Sequence, residues 1–306
     1  MPTPGTPPLL LTPGDPFGIG PEVSVRALAA TGARAVLVGH AGALRREAPS
    51  LPRLVRLADA PAEGAAVLEI EDGAEPAEVA ALRLAVAACL GGQARALVTG
   101  PIHKARLAAR GFRHHGHTEF LGELAGVLRP VMAFVGGSVR VALVTVHLPL
   151  RDVPAAVTTE GVLHTLRTAD HALRRQLHLP RPRLVVCGLN PHAGDGGVLG
   201  REEIEVIEPA CAAARAEGID ARGPVSAETA FTEPDAADMI VAMYHDQGLV
   251  PLKRVDFGRS VNWTLGLPFV RTSVDHGTAD ALVGTGRARI DSMVAAIELA
   301  LSLTPG

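Results

Sequence analysis

The chain has 306 residues, a formal net charge of −3, 47% hydrophobic residues and 20% charged residues. So balanced a charge excludes the basic footprint of a nucleic-acid binder or a membrane-surface protein. No stretch approaches the roughly 20 apolar residues that span a bilayer, and MPTPGTPPLLLT lacks the basic and long apolar regions of a signal peptide. A globular, cytoplasmic protein of two lobes or one intertwined unit is expected.

Three cysteines, Cys89, Cys187 and Cys211, are widely spaced in apolar surroundings, the pattern of reduced core thiols and not of disulfides or a thiolate metal site. Basic residues are almost all Arg. The only lysines are Lys104 and Lys253, the only asparagines Asn190 and Asn262, and Tyr244 and Trp263 are single. Each lies in a polar segment containing Gly or His, where Arg cannot stand in for a compact ammonium nor Asp for an amide.

In chain order, PLLLT (residues 8–12) reads as a strand entering a tight loop with Gly14, Gly18 and Gly20, after which Pro21 and Glu22 suit a first helical turn. Residues 35–39 and 96–99 read as strands and the Ala-rich 74–90 as a helix. Strand and helix alternate throughout, which predicts an α/β fold with a largely parallel sheet. His117 and Thr118 stand at an acidic helix start, where imidazole, hydroxyl and free amides meet an anion, unless Thr118 simply caps the helix.

Three apolar runs, 139–146, 183–187 and 240–243, each end in a polar segment carrying one histidine: His147, His192 and His245. Parallel strands place their C-terminal ends along one edge, so the three imidazoles could converge with an open fourth position. That is a catalytic arrangement natural for Zn²⁺ and open to other divalent ions such as Mg²⁺, Co²⁺ or Mn²⁺. His103, His114 and His115 lie in polar loops and read as solvated, and His40, His164, His171 and His178 as surface or helix-face residues. Lys253, Asn262 and Arg271 form a polar series suited to a phosphate or carboxylate, or to pairing with Asp256 and Asp275. The Gly-rich segment 273–293 lacks the G-x-G-x-x-G fingerprint of a Rossmann site, yet its backbone and His276 could hold a nucleotide.

Taken together, TPGDPFGIGPEV, TGPIHKA, GHTEFL, TVHLPLRDVP, GLNPHAGDGGVLGREE, AMYHDQGLVPLK and VNWTLGLPFVRTSVDHGTA resemble the 4-hydroxythreonine-4-phosphate dehydrogenases of pyridoxal phosphate biosynthesis, from residue 12 to about 290. GDPFGIGPE and HGTADALVGTG are similar to segments of the isocitrate and isopropylmalate dehydrogenases. The resemblance implies a three-layer α/β/α fold of two intertwined lobes, 1–130 with 263–306 and 131–262, and an active site in the cleft between them. It implies His147, His192 and His245 as metal ligands, His117, Thr118, Lys253, Asn262 and Arg271 as contacts to the phosphorylated substrate, and a homodimer that shares its metal across the interface. NAD or NADP would lie in the loop of His276, Gly277, Thr278 and Gly284.

The implied reaction oxidises 4-(phosphooxy)-threonine to 2-amino-3-oxo-4-(phosphooxy)butanoate, which decarboxylates to 3-amino-2-oxopropyl phosphate. Asp246 is the first candidate base and Lys253 a candidate relay. Equally, Asp246 could orient a histidine and Lys253 anchor phosphate. In SAETAF, Glu228 stands where family members usually have Asp, which opens 4-phospho-threonate or 4-phospho-erythronate as alternative substrates. A different kind of reading, a non-catalytic metal-dependent binding protein, is disfavoured by the intact set of histidines, Lys253, Asn262, Arg271 and HGTA.

Overall fold

The computed structural model describes residues 6–114, 116–233, 237–256 and 258–304, so His115, read above with the loop histidines, lies outside the described residues. The strands in chain order are β1 (Leu9–Thr12), β2 (Ala35–His40), β3 (Ala65–Ile70), β4 (Ala96–Thr99), β5 (Val131–Gly136), β6 (Val139–Leu143), β7 (Arg183–Cys187), β8 (Asp220–Val225), β9 (Met239–Ala242), β10 (Val261–Leu265) and β11 (Val270–Val274). The helices are α1 (Gly20–Thr31), α2 (Ala41–Glu47), α3 (Ala77–Leu90), α4 (Lys104–Ala109), α5 (His117–Leu124), α6 (Val153–Ala156), α7 (Thr159–Gln176), α8 (Glu208–Ala216), α9 (Ala227–Thr232), α10 (His245–Val255) and α11 (Asp291–Leu303). Among the described residues no helix is long and apolar enough to cross a membrane.

The chain divides into two compact units, 1–130 with 267–306, and 131–266. The expected break after residue 262 therefore moves: Trp263 stays in the second unit, because β10 pairs along its whole length with β5 and the buried indole donates to Gln176 Oε1 at 3.0 Å.

In the first unit the strands lie in the order β3-β2-β1-β4-β11, every neighbouring pair parallel. β1, β2 and β4 are unbroken apolar runs because they are buried on both faces. Chain order reverses between β1 and β4, and at such a switch point the loops beyond the strand ends diverge to form a ligand crevice. They are close enough here that a Cβ on Gly14 would stand 2.1 Å from Pro101 O, and Asp15 N donates to that oxygen at 2.9 Å. Its core runs from Leu10 and Leu97 to Phe120 and Phe269.

The second unit is mixed, in the order β10-β5-β6-β9-β7-β8. The pairs β10–β5 and β5–β6 are antiparallel, and β6, β9, β7 and β8 are parallel. The largely parallel expectation holds for these four strands and fails for β5 and β10, since a tight Gly136–Gly137 connection allows a hairpin between β5 and β6. All three cysteines are buried free thiols, their pKa pushed up by burial to about 12 for Cys89 and Cys187 and about 11 for Cys211.

Because Trp263 is fully buried and its indole bond is internal to the second unit, Trp263→Phe is expected to cost about 1–2 kcal/mol. A fall in the urea midpoint followed by far-UV circular dichroism measures this; an unchanged midpoint would show that the indole N–H contributes nothing.

Candidate functional site

Three strands of the first unit, β1, β4 and β11, deliver their loops to one edge. The carboxylate of Asp15, 2% exposed, accepts from Phe17 N at 2.9 Å and from Arg106 on α4. The same guanidinium reaches Asp280 in the loop after β11, and Thr278 with Arg106 holds the Asp280 carboxyl below the usual range. That loop also packs by backbone: Ile19 N donates to Thr278 O at 3.0 Å, and a Cβ on Gly18 would meet Thr278 Cβ at 2.9 Å. His276 turns Nδ1 to Gly277 O at 2.8 Å while its Nε2 is enclosed without a hydrogen-bond partner. Gly277 and Gly284 are exposed. An orphan ring nitrogen beside an exposed glycine backbone fits a loop that receives a polar cofactor.

The strand before this loop also carries a buried cation. Arg271 on β11 is 2% exposed and donates from Nη2 to Thr99 Oγ1 at 2.6 Å, with His117 Nδ1 3.4 Å away. Burial first, then Arg271 and Lys104, push the His117 pKa down to about 3, and burial lowers that of Arg271 to about 9. The ring is thus neutral and the guanidinium cationic at neutral pH. His117 Nε2 is enclosed without a partner. The capping account of Thr118 does not hold: the N-cap of α5 is Gly116, without a side-chain bond, so Thr118 sits inside the first turn beside free amides that favour an anion. Lys104, a single lysine given no role from sequence, approaches this helix start, its Cε 3.8 Å from where a Gly116 Cβ would stand. His103 and His40 are spent as caps, each Nδ1 accepting from a backbone amide at 3.2 Å, and His114 packs against Phe112 and Phe120.

In the second unit β6, β7 and β9 run parallel, so their C-terminal loops emerge together as the sequence pattern requires. The rings of His147 and His245 lie 5.8 Å apart at an interplanar angle of 40°, on a cavity of about 340 Å³ that Val146, Leu148, Leu150, Tyr244 and Asp246 also line. Asp246 Oδ1 stands 2.7 Å from His245 Nδ1, which leaves Nε2 for a ligand. Thr145 Oγ1 donates to Met243 O at 2.7 Å. Gln247 ties two strand ends, its Oε1 accepting from Met243 N and its Nε2 donating to Gly188 O, both at 2.7 Å.

His192 lies on the exposed loop after β7 and does not join the other two: among the described residues no group of three His, Cys, Asp or Glu side chains gathers closely enough to hold a metal. From His192 to Gly197 every φ is positive, between 43° and 97°, a left-handed turn that costs roughly 1–2 kcal/mol at each of His192, Ala193 and Asp195. The buried carboxylate of Glu203 fills its concave side. A Cβ on Gly194 would stand 2.6 Å from Glu203 Oε2, so a larger residue there would displace the carboxylate.

Lys253 is half-buried in the last turn of α10, and Asn262 on β10 has an enclosed Oδ1 without a partner. Glu228 is exposed in the first turn of α9. Sequence reasoning missed Arg106, Glu203, Gln247 and Thr145, since a charged or amide side chain near a helix start reads as ordinary surface. The rarity of Lys104 was the one available signal.

The family model for the pyridoxal phosphate biosynthetic protein PdxA matches residues 35–300. A protein of Thioalkalivibrio sulfidiphilus named 4-hydroxythreonine-4-phosphate dehydrogenase is 46% identical over 321 residues, covering 97% of each chain. The crystal structure of 4-hydroxythreonine-4-phosphate dehydrogenase from Klebsiella pneumoniae superposes with a TM-score of 0.89 at 36% identity, over 97% of this chain and 99% of that one. Isocitrate dehydrogenase from Methylococcus capsulatus, at 15% identity and a TM-score of 0.51 over 96% of this chain and 84% of that one, shares the fold alone. With a family model over residues 35–300 and relatives similar over 97% of its length, the chain belongs to the PdxA family of pyridoxal phosphate biosynthetic proteins.

Proposed function

We propose that this chain oxidises 4-(phosphooxy)-threonine at its secondary hydroxyl, with NAD(P)⁺ as hydride acceptor, and that the resulting β-keto acid loses CO₂ to give 3-amino-2-oxopropyl phosphate. The observation that carries the reading is the buried guanidinium of Arg271 beside His117, whose Nε2 is enclosed without a partner, in a chain 46% identical to a named 4-hydroxythreonine-4-phosphate dehydrogenase. Reduction of NAD⁺ or NADP⁺ followed at 340 nm, with and without chelator, tests it; absence of substrate-dependent signal with either nucleotide would refute it. Glu228 supports a second reading of the substrate alone, so the panel includes 4-phospho-threonate and 4-phospho-erythronate.

Arg271, His117 and Thr118 bind the phosphate, and Lys253 and Asn262 are assigned to the same substrate. Neutral His117 contributes a hydrogen bond without adding charge, and the guanidinium of Arg271 is already desolvated, so the anion meets donors that need no reorganisation. His276, Gly277, Thr278 and Gly284 hold the nicotinamide cofactor.

Imidazole donors of His147 and His245 suit a divalent cation, Zn²⁺ first, which would acidify the substrate hydroxyl and accept enolate charge during decarboxylation. The contact of Asp246 Oδ1 with His245 Nδ1 supports the ring-orienting role of this carboxylate over the role of base. His192 supplies the third imidazole in a homodimer whose metal is shared between subunits. Two observations support this: the chain gathers only two of the three rings, and exposed apolar residues flank each histidine, Leu148 and Leu150 after His147, Val198 and Leu199 after His192, Val250 after His245. Such residues are ordinary at a subunit interface.

His192→Ala is expected to lose both bound metal and turnover while keeping the native circular dichroism; a variant with metal and near-normal rate would end the three-histidine reading. Arg271→Ala should raise KM for the phosphorylated substrate about 10- to 100-fold, with KM for the nucleotide unchanged, and equal rises in both would show Arg271 misassigned. The depressed pKa of His117 also sets a pH response. Above pH 6.5 the ring is neutral folded or unfolded, whereas below it the unfolded chain binds a proton that the native state refuses until about pH 3. Its contribution to stability is therefore present above pH 6.5 and lost as pH falls toward 3. Urea midpoints between pH 7 and pH 4.5 should fall less steeply in His117→Asn than in the wild type, and parallel curves would contradict the assignment.

A further inference from the structure

The loop after β7 holds His192 in a backbone conformation that L residues avoid, and one side chain accounts for its persistence. Glu203, 3% exposed, opens a π-turn (Glu203–Ile207) that runs into α8. Its Oε1 accepts from Leu189 N at 2.8 Å and Asn190 N at 2.7 Å, and its Oε2 accepts from Asn190 Nδ2 at 3.0 Å. Asn190 Nδ2 donates also to Glu202 Oε2 at 2.7 Å.

The carboxylate touches the left-handed turn from inside. A Cβ on Gly188 would stand 3.0 Å from Oε1 and 2.8 Å from Ala193 Cα, and one on Gly194 would stand 2.6 Å from Oε2. Gln247 holds the other side of the same segment through Gly188 O, two residues after His245. Strained conformations persist only where their surroundings over-determine them, and single-turn π-insertions are frequent at functional sites.

We propose that Glu203 is a positioning residue for His192, its buried carboxylate fastening the left-handed turn that decides where the imidazole is presented. The inference rests on the reading of His192 as a metal ligand. Glu203 itself touches neither metal nor substrate; it acts through the backbone amides of Leu189 and Asn190 and through the Asn190 side chain. Gln in its place keeps size and one acceptor but sets an amide N–H against Asn190 Nδ2, whereas Asp is one methylene too short to reach the amides.

Zn²⁺ affinity of the intact protein, measured by competition with a chromogenic chelator in the absence of substrate, tests this. Glu203→Gln should weaken Zn²⁺ binding about 10- to 100-fold and speed hydrogen exchange at the Leu189 and Asn190 amides, with the amides of β9 still protected. In a His192→Ala background the same substitution should have no further effect on Zn²⁺. Wild-type affinity in Glu203→Gln, with affinity lost in His192→Ala, would overturn the role of Glu203 and leave the metal reading standing. Wild-type affinity in His192→Ala would overturn the metal reading and the proposal with it. Ala210→Gly, which loosens α8 without touching the loop, controls for general destabilisation: a loss of Zn²⁺ affinity equal to that of Glu203→Gln would also overturn the proposal.

Discussion

A strand buried on both faces must hand its backbone groups to new partners where it ends, and in this chain several of those partners are side chains. Leu189 and Asn190 donate their amides to Glu203, and Met243 donates its amide to Gln247 while its carbonyl accepts from Thr145. Left unmet in the interior, each such group would cost about 1–3 kcal/mol. The same bonds that remove this cost set the course of the loops, so the satisfaction of strand ends and the placement of His192 and His245 are one problem with one solution.

The electrostatics of the first unit follow the same economy of groups. A carboxylate on each side of Arg106 joins the loop after β1 to the loop after β11. Arg271, by contrast, is buried against the neutral hydroxyl of Thr99 with the ring of His117 close by. A cation held in that way keeps a neighbouring imidazole neutral and raises the gain from an arriving anion, because the desolvation has already taken place in the folded state. Arg106 is matched by one carboxylate from each of two loops, and Arg271 donates to a hydroxyl with a neutral imidazole close by.

Much of the architecture was legible in advance. Continuous apolar runs at β1, β4 and β7 announced strands buried on both faces, and Pro21 with Glu22 announced the start of α1. What escaped was any feature created by long-range pairing. Trp263 begins the segment that the resemblance gave to the first lobe, and its pairing with Ala133 keeps it in the second unit. Thr118 has the chemistry of a cap, but Gly116 takes that position two residues earlier, so the threonine falls inside the first turn of α5.

The sequence by itself determined the α/β class, the candidate residues for the chemistry and the motif order by which the family is recognised, because each of these depends on residue type and local spacing. Only the tertiary structure decided which of them meet. It brought His147 beside His245 and Asp246 onto His245, placed Arg271 next to His117, and left His192 on a separate left-handed turn. Those outcomes depend on where each strand ends and on which distant carboxylate, amide or hydroxyl meets its last backbone groups. Glu203, Gln247 and Thr145 are such partners, and local pattern names none of the three as a partner of a distant strand end.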